Sequence, residues 1–336
     1  MENILVTGGA GFMGSNMVHY LLRTNPDVRI INLDKLTYAG NLENLADIEN
    51  DPRYTFVHGD IADANLVRSV FEKHHPDLVI NYAAETHVDR SILDPQAFIM
   101  TDIFGTYQLL EAVRVYKVPR MIQISTDEVF GSSLDSEFTE TTPFAPNSPY
   151  AASKAGADHL CRAYAITYRT PVIVTHSCNF YGPNQYPEKL LPLFITNVLE
   201  GKKIPVYGDG LQVREWIFTE DHCRAVDAIA TGGKIGEVYN IGTAERVTNM
   251  DMTKRILALL GKDESMIEHV ADRPGHDVRY AIDSTKLRNE LGWIPRVSLD
   301  EGLQKTVEWY QAHNSWWKRL KSGEYLEYYK RQYANR

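Results

Sequence analysis

Asn3-Ile4-Leu5-Val6-Thr7-Gly8-Gly9-Ala10-Gly11-Phe12-Met13-Gly14 is the stretch that decides how this chain folds. Residues 3–6 read as a buried strand, and a helix follows the glycines to about Arg23. Gly9, Gly11 and Gly14 carry the spacing of a dinucleotide-binding turn, and Gly8 adds one more residue without a Cβ. Missing Cβ atoms let the backbone approach a pyrophosphate, while the helix start offers unpaired N–H groups and the positive end of its dipole. Alone the motif is weak evidence, but its context is the right one. A second strand, Val28 to Leu33, ends in Asp34, twenty residues beyond Gly14. An acid there binds both hydroxyls of a ribose and repels a 2′-phosphate, which favours NAD over NADP; Lys35 beside it pulls the other way.

Outward from that turn, strands are predicted at Thr55 to His58, Leu78 to Asn81, Arg120 to Ser125 and Pro171 to His176. Helices are predicted at Ala64 to His74 and Pro95 to Tyr116. Such alternation means α/β, with a Rossmann-type doubly wound parallel sheet. Ligands of these sheets sit beyond the carboxyl ends of the strands. Those ends carry Asp60-Ile61 and Ala83-Ala84-Glu85-Thr86-His87. Asp60 can accept from an adenine amine, and the two alanines leave room for a flat ring. His87 reads equally as a structural hydrogen-bonding group and as a substrate contact. The helix Pro95 to Tyr116 is apolar around much of its circumference, which predicts either burial or a shared helix in a homodimer.

Composition sets outer bounds. The 336 residues are 43% hydrophobic and 24% charged, as in an ordinary globular protein with a large core. A net charge of −9 argues against nucleic acid or an anionic membrane as partner. The chain enters its first strand directly after Met1-Glu2 without the pattern of a signal peptide, and no uncharged apolar run is long enough for a membrane span. Cys161, Cys178 and Cys223 are odd in number and widely spaced, which speaks against a disulfide framework or a zinc ribbon. A cytoplasmic protein without a metal site is expected.

Ile122-Gln123-Ile124-Ser125-Thr126-Asp127-Glu128 runs an apolar strand straight into two adjacent carboxylates. Neighbouring strand residues point to opposite faces, so both acids can meet one ligand only if the chain turns near Ser125. Downstream, Ser148 suits an N-cap and Pro149 the first helical position, which puts Tyr150 and Lys154 on one helix face. A tyrosine with an ordinary pKa near 10 serves as a base at neutral pH only with a cation beside its phenolate, and Lys154 can be that cation.

Further on, Pro187-Glu188-Lys189-Leu190 opens a helix predicted to reach Glu200, where backbone N–H groups and Lys189 suit a phosphate. Pro205 and Tyr207 offer flat apolar surfaces to a base. Arg214, Arg273 and His276 are candidate pyrophosphate ligands, arginine being suited to forked phosphate contacts. The aromatic tail, Trp309 to Tyr333, is expected to pack on the domain surface.

The glycine turn, Asp34, Tyr150 and Lys154 resemble the extended short-chain dehydrogenase/reductase superfamily. More narrowly, residues 34–41, 83–91, 125–129, 181–183, 187–190 and 272–277 resemble the dTDP-glucose 4,6-dehydratase family, Thr126-Asp127-Glu128 being the most diagnostic. Phe180 and Phe130 depart from its usual residues. The resemblance implies an NAD-binding domain over residues 1–178, with a return segment around 211–242. Residues 179–336 become a smaller mixed α/β domain, mainly for the nucleotide sugar. It implies tightly bound NAD held by Gly8, Gly11, Phe12, Met13 and Gly14, by Asp34, Lys35, Leu36 and Thr37, and by Asp60 and Ile61. Ala83, Ala84, Glu85, Thr101, Ser125, Tyr150 and Lys154 complete that set. Substrate would meet His87, Asn179, Glu188, Lys189, Leu190, Pro205, Tyr207, Arg214, Asn249, Arg273 and His276. The reaction implied is oxidation at C4 with Tyr150 as base, supported by Lys154 and Thr126. Loss of water across C5/C6 follows, with Glu128 as base and Asp127 as acid, and hydride then returns to C6. Alternatives left open are a dehydratase of UDP- or CDP-glucose, a nucleotide-sugar 4-epimerase, and a non-catalytic NAD-binding scaffold.

Overall fold

A computed structural model describes residues 1–272 and 275–333, the side chains of 324 and 331–333 excepted. In chain order its strands are β1 (Asn3–Thr7), β2 (Arg29–Asp34), β3 (Tyr54–His58), β4 (Leu78–Asn81), β5 (Arg120–Thr126) and β6 (Val172–Ser177). There follow β7 (Asn179–Tyr181), β8 (Ile204–Tyr207), β9 (Val213–Phe218), β10 (Val238–Ile241), β11 (Arg246–Thr248) and β12 (Ile267–Val270). The main sheet has seven strands in the order β10-β6-β5-β4-β1-β2-β3, all parallel. Along β1, Ile4 and Val6 enter one hydrophobic cluster and Leu5 the cluster on the opposite face. Cover on both faces is why the inner strands read as continuous apolar runs, each buried Leu, Ile or Val contributing roughly 1.5–3 kcal/mol.

The chain builds β1, β2 and β3 outward in one direction, then crosses back to lay β4, β5 and β6 on the other side. That reversal opens a crevice between β1 and β4, the place where such sheets bind ligands. Register puts Thr7 level with Leu33 and Asn81, and Thr126 level with Ser177. Gly8, Asp34, Tyr82, Asp127 and Cys178 therefore leave the sheet along one edge. The smaller lobe holds the sheet β11-β9-β7 and the pair β12-β8 around its own core, which includes Phe194, Trp216, Ile256, Leu303 and Trp317.

Three expectations need correction. The helix foreseen over Pro95 to Tyr116 is Pro95–Phe98 and Thr106–Val115 joined by a π-helical stretch, Ile99–Gly105. The helix foreseen from Pro187 begins at Leu190, with Lys189 as N-cap, so Glu188 and Lys189 lie on the loop before it. The aromatic tail is not a surface layer: Tyr310, Trp316 and Trp317 are buried, because helices Leu299–Ala312 and Asn314–Leu320 close the core of the smaller lobe.

Candidate active site

Two cavities meet in front of the sheet edge. The first, about 250 Å³, begins at the glycine turn, where Gly8, Gly11, Phe12, Met13 and Gly14 form its floor. A Cβ on Gly14 would stand 2.1 Å from the Gly8 carbonyl oxygen, so the turn and the helix Phe12–Thr24 close up only with glycine there. Asp34 lies at the end of β2 and accepts from the Ala10 and Leu36 backbone N–H groups at 2.9 and 2.7 Å. Burial raises its carboxyl above the ordinary value in spite of those bonds. Lys35 and Asp60 form an ion pair at 2.7 Å, and both line this cavity with Thr37 and Ile61. Leu36 does not line it: its backbone turns at φ 53°. Ala83, Ala84, Glu85 and Thr101 continue the wall. The Cβ-free turn, the acid one strand away and the small residues opposite fit a dinucleotide.

The residues expected to carry the chemistry, Thr126, Asp127, Glu128, Tyr150 and Lys154, all line this cavity. Thr126 closes β5 and caps the short turn Asp127–Phe130, its hydroxyl accepting from the Glu128 N–H at 3.3 Å. Ser148 caps the helix Pro149–Tyr168 by accepting from the Ala151 N–H at 3.1 Å, which sets Tyr150 and Lys154 at the same cavity. Tyr150 shares a hydrogen bond with Thr126. Ser125 lies beside them, its hydroxyl donating to Asp158 at 2.7 Å. Asp127 is buried, and desolvation followed by the Glu128 and Glu215 charges pushes its carboxyl well above the carboxylate range, with Arg214 opposing. An acid in that state can give a proton.

Tyr150 departs from the sequence expectation. Burial first, then Glu128 and Asp102, hold its phenol well above the ordinary value. Lys154 is buried and donates to the Ile124 carbonyl at 2.7 Å, which uses one of its three N–H donors. Sequence reasoning also missed Asp102. Its carboxylate, on the π-helical stretch, accepts from Ser153 at 2.6 Å and from the Glu85 N–H at 3.0 Å, fixing the turn between Tyr150 and Lys154. Burial raises Asp102 to about 6, and burial with Asp102 raises Glu85 to about 7. No spacing signal marks a lone acid inside a long helix.

Glu128, Asn179, Glu188 and Lys189 line both cavities. The second, about 150 Å³, is walled further by His87, Leu190, Pro205, Tyr207, Asn249 and His276. Arg214 also lines it; its guanidinium stacks on Tyr280 at 4.2 Å and donates to the Asp277 carbonyl at 2.9 Å. Tyr207 donates to Asp89 at 3.1 Å, and His276 bonds Asp272 at 2.6 Å. Glu188 forms a buried ion pair with Arg90 at 2.9 Å. Trp216 and Tyr280 belong to this wall and carry no sequence signal. Arg273 lies outside the described residues. Of the two departures, Phe180 lines the first cavity, whereas Phe130 packs against Phe138, Phe144 and His176 in the core.

Comparison with known proteins follows this geometry. The family model described as GDP-mannose 4,6 dehydratase matches residues 5–306. The dTDP-glucose 4,6-dehydratase of Neisseria meningitidis is 49% identical, the match covering 97% of this chain and 98% of that one. The enzyme of the same name from Streptomyces venezuelae, solved with NAD bound, is 50% identical, with a TM-score of 0.92, and covers 95% of this chain and 100% of its own. A UDP-glucose 4-epimerase from Thermotoga maritima shares the fold more distantly, at 32% identity and a TM-score of 0.86, over 92% of this chain and 99% of its own. The chain belongs to the dTDP-glucose 4,6-dehydratase family of the extended short-chain dehydrogenase/reductase superfamily.

Proposed function

We propose that this chain is an NAD-dependent hydro-lyase that converts dTDP-glucose to dTDP-4-keto-6-deoxyglucose. The observation that carries this reading is the placing of Asp127 and Glu128 beside Tyr150 and Thr126 where the two cavities meet. Residues 1–178 hold a tightly bound dinucleotide in the first cavity; of the return around 211–242, β10 completes that domain's sheet while β9 stands in the smaller lobe. Residues 179–336 mainly hold the nucleotide sugar in the second. NAD, when bound, supplies a two-electron acceptor that takes hydride from sugar C4 and gives it back at C6.

The side chains do the proton chemistry. Tyr150 takes the 4-hydroxyl proton, and Thr126 orients that hydroxyl. Because burial and Glu128 favour the phenol, this step needs positive charge nearby, and Lys154 on the same helix face keeps two N–H donors for it. A ketone at C4 acidifies the C5 proton, which Glu128 removes. Asp127 protonates the 6-hydroxyl, which leaves as water. Glu128 then returns a proton to C5 as hydride arrives at C6. A 4-epimerase has no work for the acid pair, and so Asp127 and Glu128 separate the two activities.

The partner in solution is a second copy of the chain. Ile99, Met100, Phe104 and Tyr107 are exposed along the helix from Pro95 to Val115, and Ile166 and Tyr168 are exposed on the neighbouring helix. The cysteines are three buried thiols, which fits a reducing cytoplasm.

The test is a side-by-side incubation of NAD-loaded protein with dTDP-, UDP-, CDP- and GDP-glucose, followed by mass spectrometry. The expected product is lighter by one water, formed fastest from dTDP-glucose. An isomer of unchanged mass would mean epimerase, and no consumption at all would mean a binding scaffold.

A further inference from the structure

The helix Glu324–Tyr333 lies past residue 306, where the family match ends, yet it reaches the site. Tyr328 is buried and lines neither cavity. Its ring stands edge-on to His87, centroids 5.6 Å apart and planes at 78°, and its hydroxyl is 3.4 Å from His87 Nδ1. The Arg90 guanidinium stacks on the same ring at 4.4 Å and on Tyr38 at 3.6 Å, while its Nε donates to the buried Glu188. His87 and Arg90 belong to the segment after β4, and Glu188 to the loop before helix Leu190–Leu199. Those two segments give Glu85, Thr86, Glu188 and Lys189 to the first cavity and His87, Val88, Glu188 and Lys189 to the second.

The hydrogen bonds have a direction. His87 Nε2 faces the Glu188 carbonyl oxygen at 3.4 Å, an atom that only accepts, so Nε2 carries the proton. In the neutral ring Nδ1 then accepts, and the Tyr328 hydroxyl donates to it. The C-terminal helix is thereby tied to one segment by the imidazole and to the other through Arg90 and Glu188.

We propose that Tyr328 is a positioning residue for the nucleotide sugar, holding the wall shared by the two cavities in its binding shape through His87 and Arg90. This rests on the function assigned above. Without the ring, Arg90 loses a stacking partner and His87 its Nδ1 donor. Asp127 and Glu128 stay on the turn capped by Thr126, and Tyr150 stays on helix Pro149–Tyr168, where it also packs against Phe98. The loss therefore falls on substrate affinity and KM, and kcat is spared.

Wild-type holoenzyme is compared with Tyr328→Leu, Tyr328→Phe and, as a control on the exposed side of the same helix, Leu326→Ala. Calorimetry with thymidine diphosphate alone and steady-state turnover of dTDP-glucose are both recorded. Tyr328→Leu should weaken binding and raise KM by about tenfold, with kcat within about threefold. Tyr328→Phe keeps the stack and should shift both by about threefold, and Leu326→Ala by nothing. The proposal is overturned if Tyr328→Leu matches wild type, or if kcat falls with KM and affinity in place. Should Tyr328→Leu not fold, Tyr328→Phe decides: a shift in affinity supports the proposal and none overturns it. A wild type that binds thymidine diphosphate without dehydrating the sugar would remove the assigned function, and the variants' affinities would still decide the role of Tyr328.

Discussion

The surroundings of Asp127 favour its protonated form. Desolvation leads, the Glu128 charge adds to it, and the carboxyl ends well above its ordinary 3.8. The stabilising share of that protonation is whole below the unfolded value and is lost as the pH rises through the folded one. Asp127→Asn is neutral throughout, so its melting temperature should gain steadily on wild type as the pH rises above the ordinary carboxyl value and towards the raised one. Dehydration should fall roughly 10²–10⁴-fold in the same variant. A gap independent of pH would mean that Asp127 is ionised in the fold. The acid pair is legible in the sequence because it ends an apolar strand, where a turn must follow. The raised phenol of Tyr150 is not, since spacing points to Lys154 four residues on while the folded chain buries the ring and brings Glu128 and Asp102 to bear on it.

The helix from Pro95 to Val115 shows what hydrophobic pattern tells and what it hides. Its apolar residues cover more than one face, and the structure divides them: Phe98, Leu109, Leu110 and Val113 are buried, while Ile99, Met100 and Phe104 face outward. Periodicity gives the two faces but not the π-helical stretch, whose extra residue per turn carries Thr101 to the first cavity and Asp102 to Ser153. An exposed face of this kind is expected to be covered by its own copy. Light scattering at micromolar concentration should give twice the chain mass, and Phe104→Glu, which sets a charge in that face, should give the monomer mass. A wild-type monomer would contradict the shared-helix reading. The tail is the opposite case. Tyr310, Trp316 and Trp317 look like surface aromatics in sequence because nothing local records the core they close.

Across the whole molecule, the sheet is readable because apolar strands, buried along β1, β2, β4, β5 and β6, alternate with helices. The seventh, β10, is less so, since it arrives after the smaller lobe has begun and joins the far edge beside β6. The crossing from β3 back to β4 sets the first cavity, and β8 and β9 bring Pro205, Tyr207 and Arg214 to the second. The turn after β5 and the helix Pro149–Tyr168 bring an acid pair, a phenol and an ammonium to the first cavity, where the smaller lobe adds the second. Hydride leaving C4 and arriving at C6 of the same hexose is what that convergence is for. dTDP-glucose carrying deuterium at C4 tests it most directly: the label should appear at C6 of a 4-keto-6-deoxy product. Deuterium lost to water, or retained at C4 of an inverted sugar, would contradict it.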